Sequence, residues 1–173
     1  QTTPNRSHGF PPIAGVDVRV LILGTMPGEA SLREQQYYAH PRNAFWPIVA
    51  AALGFDAAME YPARVAAIES RGVAVWDVLR SCVRAGSLDA AIDRSTLEAN
   101  DFARFFAAHP GIRRVCFNGR MAAILYARHV QPHVRLAAGV SLVELPSTSP
   151  ANAGVPRSEK ARAWQQALTE VSV

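Results

Sequence analysis

The stretch "VDVRVLILGTMPGEASLREQQYYAHPRNAFW", Val16 to Trp46, decides the fold. Its first eight residues, Val16 to Leu23, form a short, β-branched apolar run closed by Gly24, the pattern of a buried strand. Three more runs of that kind follow: "VAVWDV" from Val73, "RVCF" from Arg114 and "VSLVEL" from Val140. Helical patterns lie between them. "NAFWPIVAAALG" reads as a helix from about Ala44, and "PARVAAIESRG" begins at Pro62 and stops at Gly72. "STLE" at Ser95 has capping-box spacing, "NGRMAAILYARH" follows the third run, and "SEKARAWQQALTEV" closes the chain as an amphipathic helix. Strands alternating with helices predict an α/β fold, a four-stranded parallel sheet covered on both faces.

The 173 residues, 49% hydrophobic and 18% charged, fit one domain spanning 1–173, with residues 1–15 as an extended N-terminal arm. The net charge is +4, and Lys160 is the single lysine among 18 Lys and Arg. Arginine forks suit phosphate or carboxylate, and codon choice explains the excess equally well. Two cysteines, Cys82 and Cys116, make neither a disulfide framework nor a metal-ligand set, so no zinc site is expected. The apolar runs are of strand length and the N-terminal residues lack a signal-peptide pattern, which predicts a soluble cytoplasmic protein.

In parallel sheets, ligands bind beyond the carboxyl ends of the strands. Those ends carry Gly24-Thr25-Met26-Pro27-Gly28, then Trp76-Asp77, then Asn118-Gly119, then Pro146-Ser147-Thr148-Ser149-Pro150. The glycine loop has neither Walker nor dinucleotide-binding spacing. Asn43 reads either as a helix N-cap or as an amide that positions water or a polar ligand edge. Tyr37, Tyr38, Phe45 and Trp46 read as core aromatics or as a stacking surface, with Tyr38 the most even case. His40 braces its loop or acts as acid or base; Asp77 caps, pairs with arginine or binds substrate. No Ser-His-Asp order is present.

Taken together, "SHGFPP", "GTMPGEASL", "YYAHPRNAFW" and "LPSTSPA" resemble the uracil-DNA glycosylase superfamily, and most of all its hypoxanthine-DNA glycosylase branch. The resemblance implies an α/β/α sandwich that binds a base flipped out of DNA and cuts its N-glycosidic bond with water, since that bond is out of reach inside the stack. It makes Asn43 the catalytic residue and Tyr38 the aromatic that stacks on the base. It also places Thr25, Met26, Pro27, Gly28, His40, Asp77, Asn118 and Gly119 around the base. Ser147, Thr148, Ser149, Asn152 and Arg157 fall on the segment that relatives press against DNA.

One departure stands out. Many relatives carry a water-positioning Asp, Glu or Asn where this chain has Met26, so either Asn43 takes over or backbone carbonyls of Thr25 to Pro27 hold the water. With no strong base, the expected mechanism is dissociative, the purine leaving early from an oxocarbenium-like sugar. Lys160 is expected in a terminal helix away from the strand ends, which predicts a monofunctional enzyme without Schiff-base chemistry. An ionised Asp77 would accept from hypoxanthine N1–H and repel the bare acceptor of adenine, but would not exclude uracil. No cofactor and a monomeric state are expected. The rivals are a uracil- or mismatch-directed glycosylase, a catalytically weak nucleic-acid-binding module, and a hydrolase of free nucleosides.

Overall fold

Alternation along β2 (Val20–Gly24) organises the molecule: Leu21 and Leu23 enter one apolar cluster, Val20 and Ile22 another on the opposite face. A strand sends successive side chains to opposite faces, so an all-apolar strand must be covered on both. β3 (Val73–Asp77) and β6 (Arg114–Asn118) do the same, with Ala74, Trp76, Val115 and Phe117 on the first face and Val73, Val75 and Cys116 on the second. β7 (Ser141–Leu145) completes a parallel sheet of order β3-β2-β6-β7.

In this computed structural model, which describes residues 5–170, the helices form the outer layers. α4 (Phe102–Ala108) and α5 (Arg120–His129) bury Phe102, Phe105, Leu125 and Tyr126 against the first face. α2 (Phe45–Leu53), α3 (Tyr61–Ser70) and α6 (Arg157–Thr169) bury Phe45, Trp46, Ile68 and Trp164 against the second. A short α1 (Glu29–Glu34) follows the loop after β2. The three-layer sandwich around a four-stranded parallel sheet is therefore as expected. Truncating a fully buried residue such as Ile22 to alanine is expected to cost about 2–5 kcal/mol.

Several expectations are corrected. The first strand begins at Val20, because residues 16–17 bend and leave Val16 95% exposed. The N-terminal arm is extended but not free: β1 (Arg6–His8) pairs antiparallel with β4 (Leu79–Arg84), and Ile13 bridges Val75. Residues 1–4 lie outside the described part. The "STLE" box is no helix start; it lies in β5 (Ile92–Ala99), which pairs with β4. Its would-be capping groups are used locally and across the hairpin, Ser95 Oγ donating to Asp93 Oδ1 at 2.7 Å and Glu98 Oε2 accepting from Arg80 Nη2 at 2.5 Å. The helix start falls at Asp101 instead, whose side chain accepts from the Arg104 N–H. The second sheet, β1-β4-β5, hangs its hairpin tip beside the loop after β2.

Candidate active site

All four parallel strands deliver residues to one cavity of about 1050 Å³ at their carboxyl ends. That is at the top of the roughly 300–1,000 Å³ usual for small-ligand sites, enough for a nucleotide rather than a base alone. Among the expected site residues, Thr25, Met26, Pro27, Gly28, Tyr38, His40, Asn43, Asp77, Asn118, Gly119, Ser147, Thr148, Ser149 and Asn152 all line it. Arg157, exposed in the first turn of α6, does not.

The deepest polar groups are Asp77 and Tyr38. Parallel pairing sets Asp77 opposite Gly24, and its backbone carbonyl accepts from Asn100 Nδ2 at 2.7 Å. Only 4% of Asp77 is exposed, and its Oδ2 has no hydrogen-bond partner. Burial first, then the neighbouring Asp89 carboxylate, push its pKa up to about 7, while Arg84 pulls it down. Near neutral pH both protonation states of Asp77 are therefore populated, because desolvation disfavours the charge.

Tyr38 takes a left-handed backbone conformation, φ 55°, uncommon for a bulky residue and held here by packing. Its ring stacks on Phe45 with centroids 3.9 Å apart, so one face is already covered. Its hydroxyl is buried without a hydrogen-bond partner. Burial, then the Asp77 charge, raise its pKa, with a smaller opposing pull from the nearby Asn118 amide, which makes no bond of acceptable geometry to it. Tyr38 thus presents a neutral phenol able to donate.

Asn43 performs the local duty that its position before a helix suggests. Its Oδ1 accepts from the Phe45 N–H at 2.9 Å, and the next residue, Ala44, donates its N–H to the Thr148 carbonyl at 3.0 Å. A carboxamide oxygen has a second lone pair and the nitrogen two hydrogens. The N-cap of α2 is Ala44 rather than Asn43, so this is an Asx turn one residue ahead of the cap, and it leaves Asn43 with groups for a ligand. His40 is exposed, its Nδ1 accepting from the Arg42 N–H at 3.1 Å.

Other expected roles shift. Asn118 spends one donor and one acceptor on its neighbour, Nδ2 donating to Thr148 Oγ1 and Oδ1 accepting from the Thr148 N–H, both at 2.9 Å, which leaves its second N–H for a ligand. Thr148, 1% exposed, has no surface to offer DNA; it is the clamped residue that ties the loop after β7 to β6 and to α2. Met26 packs its side chain in the core below the loop. The carbonyls of Thr25 and Pro27 are engaged by the Leu79 N–H and by Arg84 Nη2, which weakens the case for a water held by that turn. Lys160 lies closer than expected: it is buried, and its Nζ donates to the Asn152 carbonyl at 2.6 Å, bracing the loop. Arg114 bonds Ala167 and Glu170 carbonyls at the opposite end of the sheet.

The cavity also has residues that sequence reasoning missed. Ser87, Leu88 and Asp89 come from the β4–β5 hairpin, and Arg33 and Arg120 from α1 and α5. Thr25 Oγ1 donates to Asp89 Oδ2 at 3.1 Å, and burial raises the Asp89 pKa against the opposing pull of Thr25 and Arg84. The turn signal in "AGSLD" was legible, but nothing in the sequence folds that turn back over Gly28. Among the described residues, no cluster of three or more His, Cys, Asp or Glu is placed to hold a metal ion, and no helix is long and apolar enough to cross a membrane.

Comparison with known proteins adds to this geometry. The family model described as the uracil DNA glycosylase superfamily matches residues 11–169. A hypoxanthine DNA glycosylase of Methanosarcina acetivorans is 36% identical over 146 residues, covering 84% of this chain and 87% of that protein. A hypoxanthine DNA glycosylase of Methanosarcina barkeri is 32% identical over 164 residues, covering 94% and 98%. A solution structure from M. acetivorans, described as a candidate uracil DNA glycosylase, superposes with a TM-score of 0.81 at 31% identity, covering 96% of this chain and 99% of that one.

Proposed function

The chain belongs to the uracil DNA glycosylase superfamily, and from that premise we propose that it is a monofunctional DNA glycosylase of base-excision repair that extrudes deoxyinosine and releases hypoxanthine. The observation that carries this reading is the pair of buried, unpartnered polar atoms, Asp77 Oδ2 and Tyr38 Oη, on residues lining a nucleotide-sized cavity. A buried polar group without a partner costs about 1–3 kcal/mol, so a ligand that satisfies both is favoured. Hypoxanthine carries an N1–H donor beside its O6 acceptor: ionised Asp77 accepts from the first and Tyr38 donates to the second. Adenine offers a bare N1 and an amino group, the reverse pattern, and leaves both protein groups mismatched.

In the reaction, the bond from C1′ of the deoxyribose to N9 of the base breaks and its electron pair leaves with the purine. DNA phosphates stabilise the oxocarbenium-like sugar, and water oriented by the Asn43 carboxamide adds to C1′, losing a proton to solvent or to the departing base. The products are free hypoxanthine and an intact abasic strand. Such a step needs an oriented acceptor rather than a strong base, which suits an amide. The working unit is a monomer without a cofactor, one chain around one extruded nucleotide. Ser147, Ser149 and the exposed Arg33, Arg120 and Arg157 supply the DNA contacts.

Uracil is the second reading, because its N3–H and O4 present the same donor and acceptor and the cavity admits it. A panel of oligonucleotides carrying one deoxyinosine, deoxyuridine or deoxyxanthosine, followed by alkaline cleavage, separates the two. Faster strand scission at deoxyinosine is the expected result. Faster scission at deoxyuridine supports the second reading, and binding without scission refutes both.

A further inference from the structure

We propose that Leu88, at the tip of the β4–β5 hairpin, is the side chain that enters the duplex and fills the gap left by the extruded nucleotide; the proposal rests on the glycosylase reading above. Among the described residues, the large hydrophobics that remain exposed are Val16, Leu88 at 62%, and Leu142. Of these, Leu88 alone lines the strand-end cavity.

A solitary exposed leucine is ordinary. The bracing of this one is not. On one side of it, Ser87 Oγ accepts from the Glu29 N–H at 2.8 Å; on the other, Asp89 accepts from Thr25 Oγ1 at 3.1 Å. Arg84, itself buried, donates through Nε to the Gly86 carbonyl at 3.1 Å and through Nη2 to the Pro27 carbonyl. The Leu88 carbonyl accepts from the Ala91 N–H at 3.0 Å. Both neighbours of Leu88 are thus tied to the loop that lines the cavity, and its backbone is ordered before any partner arrives. A group that must replace a base within the stack needs this combination: an apolar body, a fixed backbone that loses little entropy on insertion, and a place at the mouth of the base cavity.

Charge argues in the same direction. The hairpin tip from Ser87 to Asp89 carries a carboxylate and no cation, so it is suited to the base stack rather than to phosphate, for which Arg33 of α1 is the cation on this rim. The loop after β7 brings Pro150, Ala151 and Val155 to the cavity; Ala151 is too small to fill a nucleotide gap and Val155 is half-buried, so the exposed Pro150 is the competitor tested.

The test measures single-turnover release of hypoxanthine from a duplex containing one deoxyinosine and from the same strand unpaired, with 2-aminopurine beside the lesion reporting unstacking. Wild type, Leu88→Ala, Leu88→Met and Pro150→Ala are compared. Leu88→Ala is expected to lose about tenfold or more on the duplex, a barrier change of roughly 1.4 kcal/mol, to match wild type on the single strand, and to lose the duplex fluorescence rise. Leu88→Met is expected to restore both. A Leu88→Ala variant that keeps duplex activity, loses both substrates equally, or leaves the defect to Pro150→Ala overturns the proposal. If wild type releases no hypoxanthine from either strand, the glycosylase reading fails. The fluorescence then decides Leu88 independently, a rise that depends on Leu88 supporting insertion and no such dependence overturning it.

Discussion

Gly24 and Asp77 stand side by side at the ends of β2 and β3 with no space for a side chain between them: a Cβ on Gly24 would lie 2.5 Å from Asp77 Oδ1 and 2.8 Å from Tyr38 Oη. The close approach is what lets backbone, carboxyl and phenol share one small patch of the cavity. Gly24→Ala is expected to push both polar groups aside. Overpacking of this kind costs about 1–3 kcal/mol of stability, and excision is expected to fall by tenfold or more while circular dichroism remains native-like.

Asp77 makes stability depend on pH. Its folded pKa, about 7, lies above the unfolded value near 4, so the folded state binds the proton more tightly. The corresponding stability is fully present below about pH 4 and is lost as pH rises through about 7, a few kcal/mol and on the order of 4 at most. Asp89, raised in the same direction, adds to the trend. Asp77→Asn is expected to flatten the decline in thermal unfolding between pH 5 and 8, so that the variant outlasts wild type on the alkaline side. Because the ionised form is the proposed acceptor for N1–H, kcat/KM for deoxyinosine is expected to rise through about pH 7 in wild type, and Asp77→Asn is expected to abolish that rise.

Asn118 and Thr148 form a closed pair through side chain and backbone. Asn118→Ala leaves a buried Thr148 N–H without a partner, at about 1–3 kcal/mol. For a chain of this size that lowers Tm by roughly 2–4 °C per kcal/mol. Because the Thr148 carbonyl also holds the Ala44 N–H, one residue from Asn43, kcat is expected to fall more than the binding of undamaged DNA. A variant with a lowered Tm but unchanged kcat would make the clamp purely structural.

The parallel sheet was legible because its strands are short, mainly apolar runs ended by turn residues, β7 being the least so with Ser141 and Glu144, and the strand ends pointed to the cavity. The hairpin β4–β5 was not. Its residues, from "LRSCVR" through "IDRSTLEA", mix charge with apolar groups, since one face of it meets solvent while Leu79, Cys82 and Ile92 join the core. Periodicity is weak in such a segment, and the Ser95 to Glu98 spacing imitates a helix start. With the hairpin went Ser87, Leu88 and Asp89. The bracing bonds of Asn118, Thr148 and Lys160 were not legible for another reason: their partners lie 30 and 8 residues away, and hydrogen bonds over such distances leave no trace in local pattern.

Lys160 supplies a check on the proposal of a monofunctional enzyme. Its ammonium is buried and committed to the Asn152 carbonyl, and burial lowers its pKa. Borohydride added during turnover of a deoxyinosine duplex is expected to trap no protein–DNA adduct. Lys160→Met is expected to leave the chemistry intact and to weaken duplex binding through the loosened loop, measured by anisotropy.

The most direct measurement is the single-turnover rate of hypoxanthine release by Asn43→Ser. A serine keeps an oxygen to accept the Phe45 N–H, so the turn ahead of α2 survives, but it removes the carboxamide proposed to orient water. The rate is expected to fall by about a hundredfold or more, in the range of a lost positioning group, with Tm and DNA affinity near wild type. Release at the wild-type rate would contradict the account, leaving Asn43 a turn residue ahead of α2 and placing the chemistry elsewhere in the cavity.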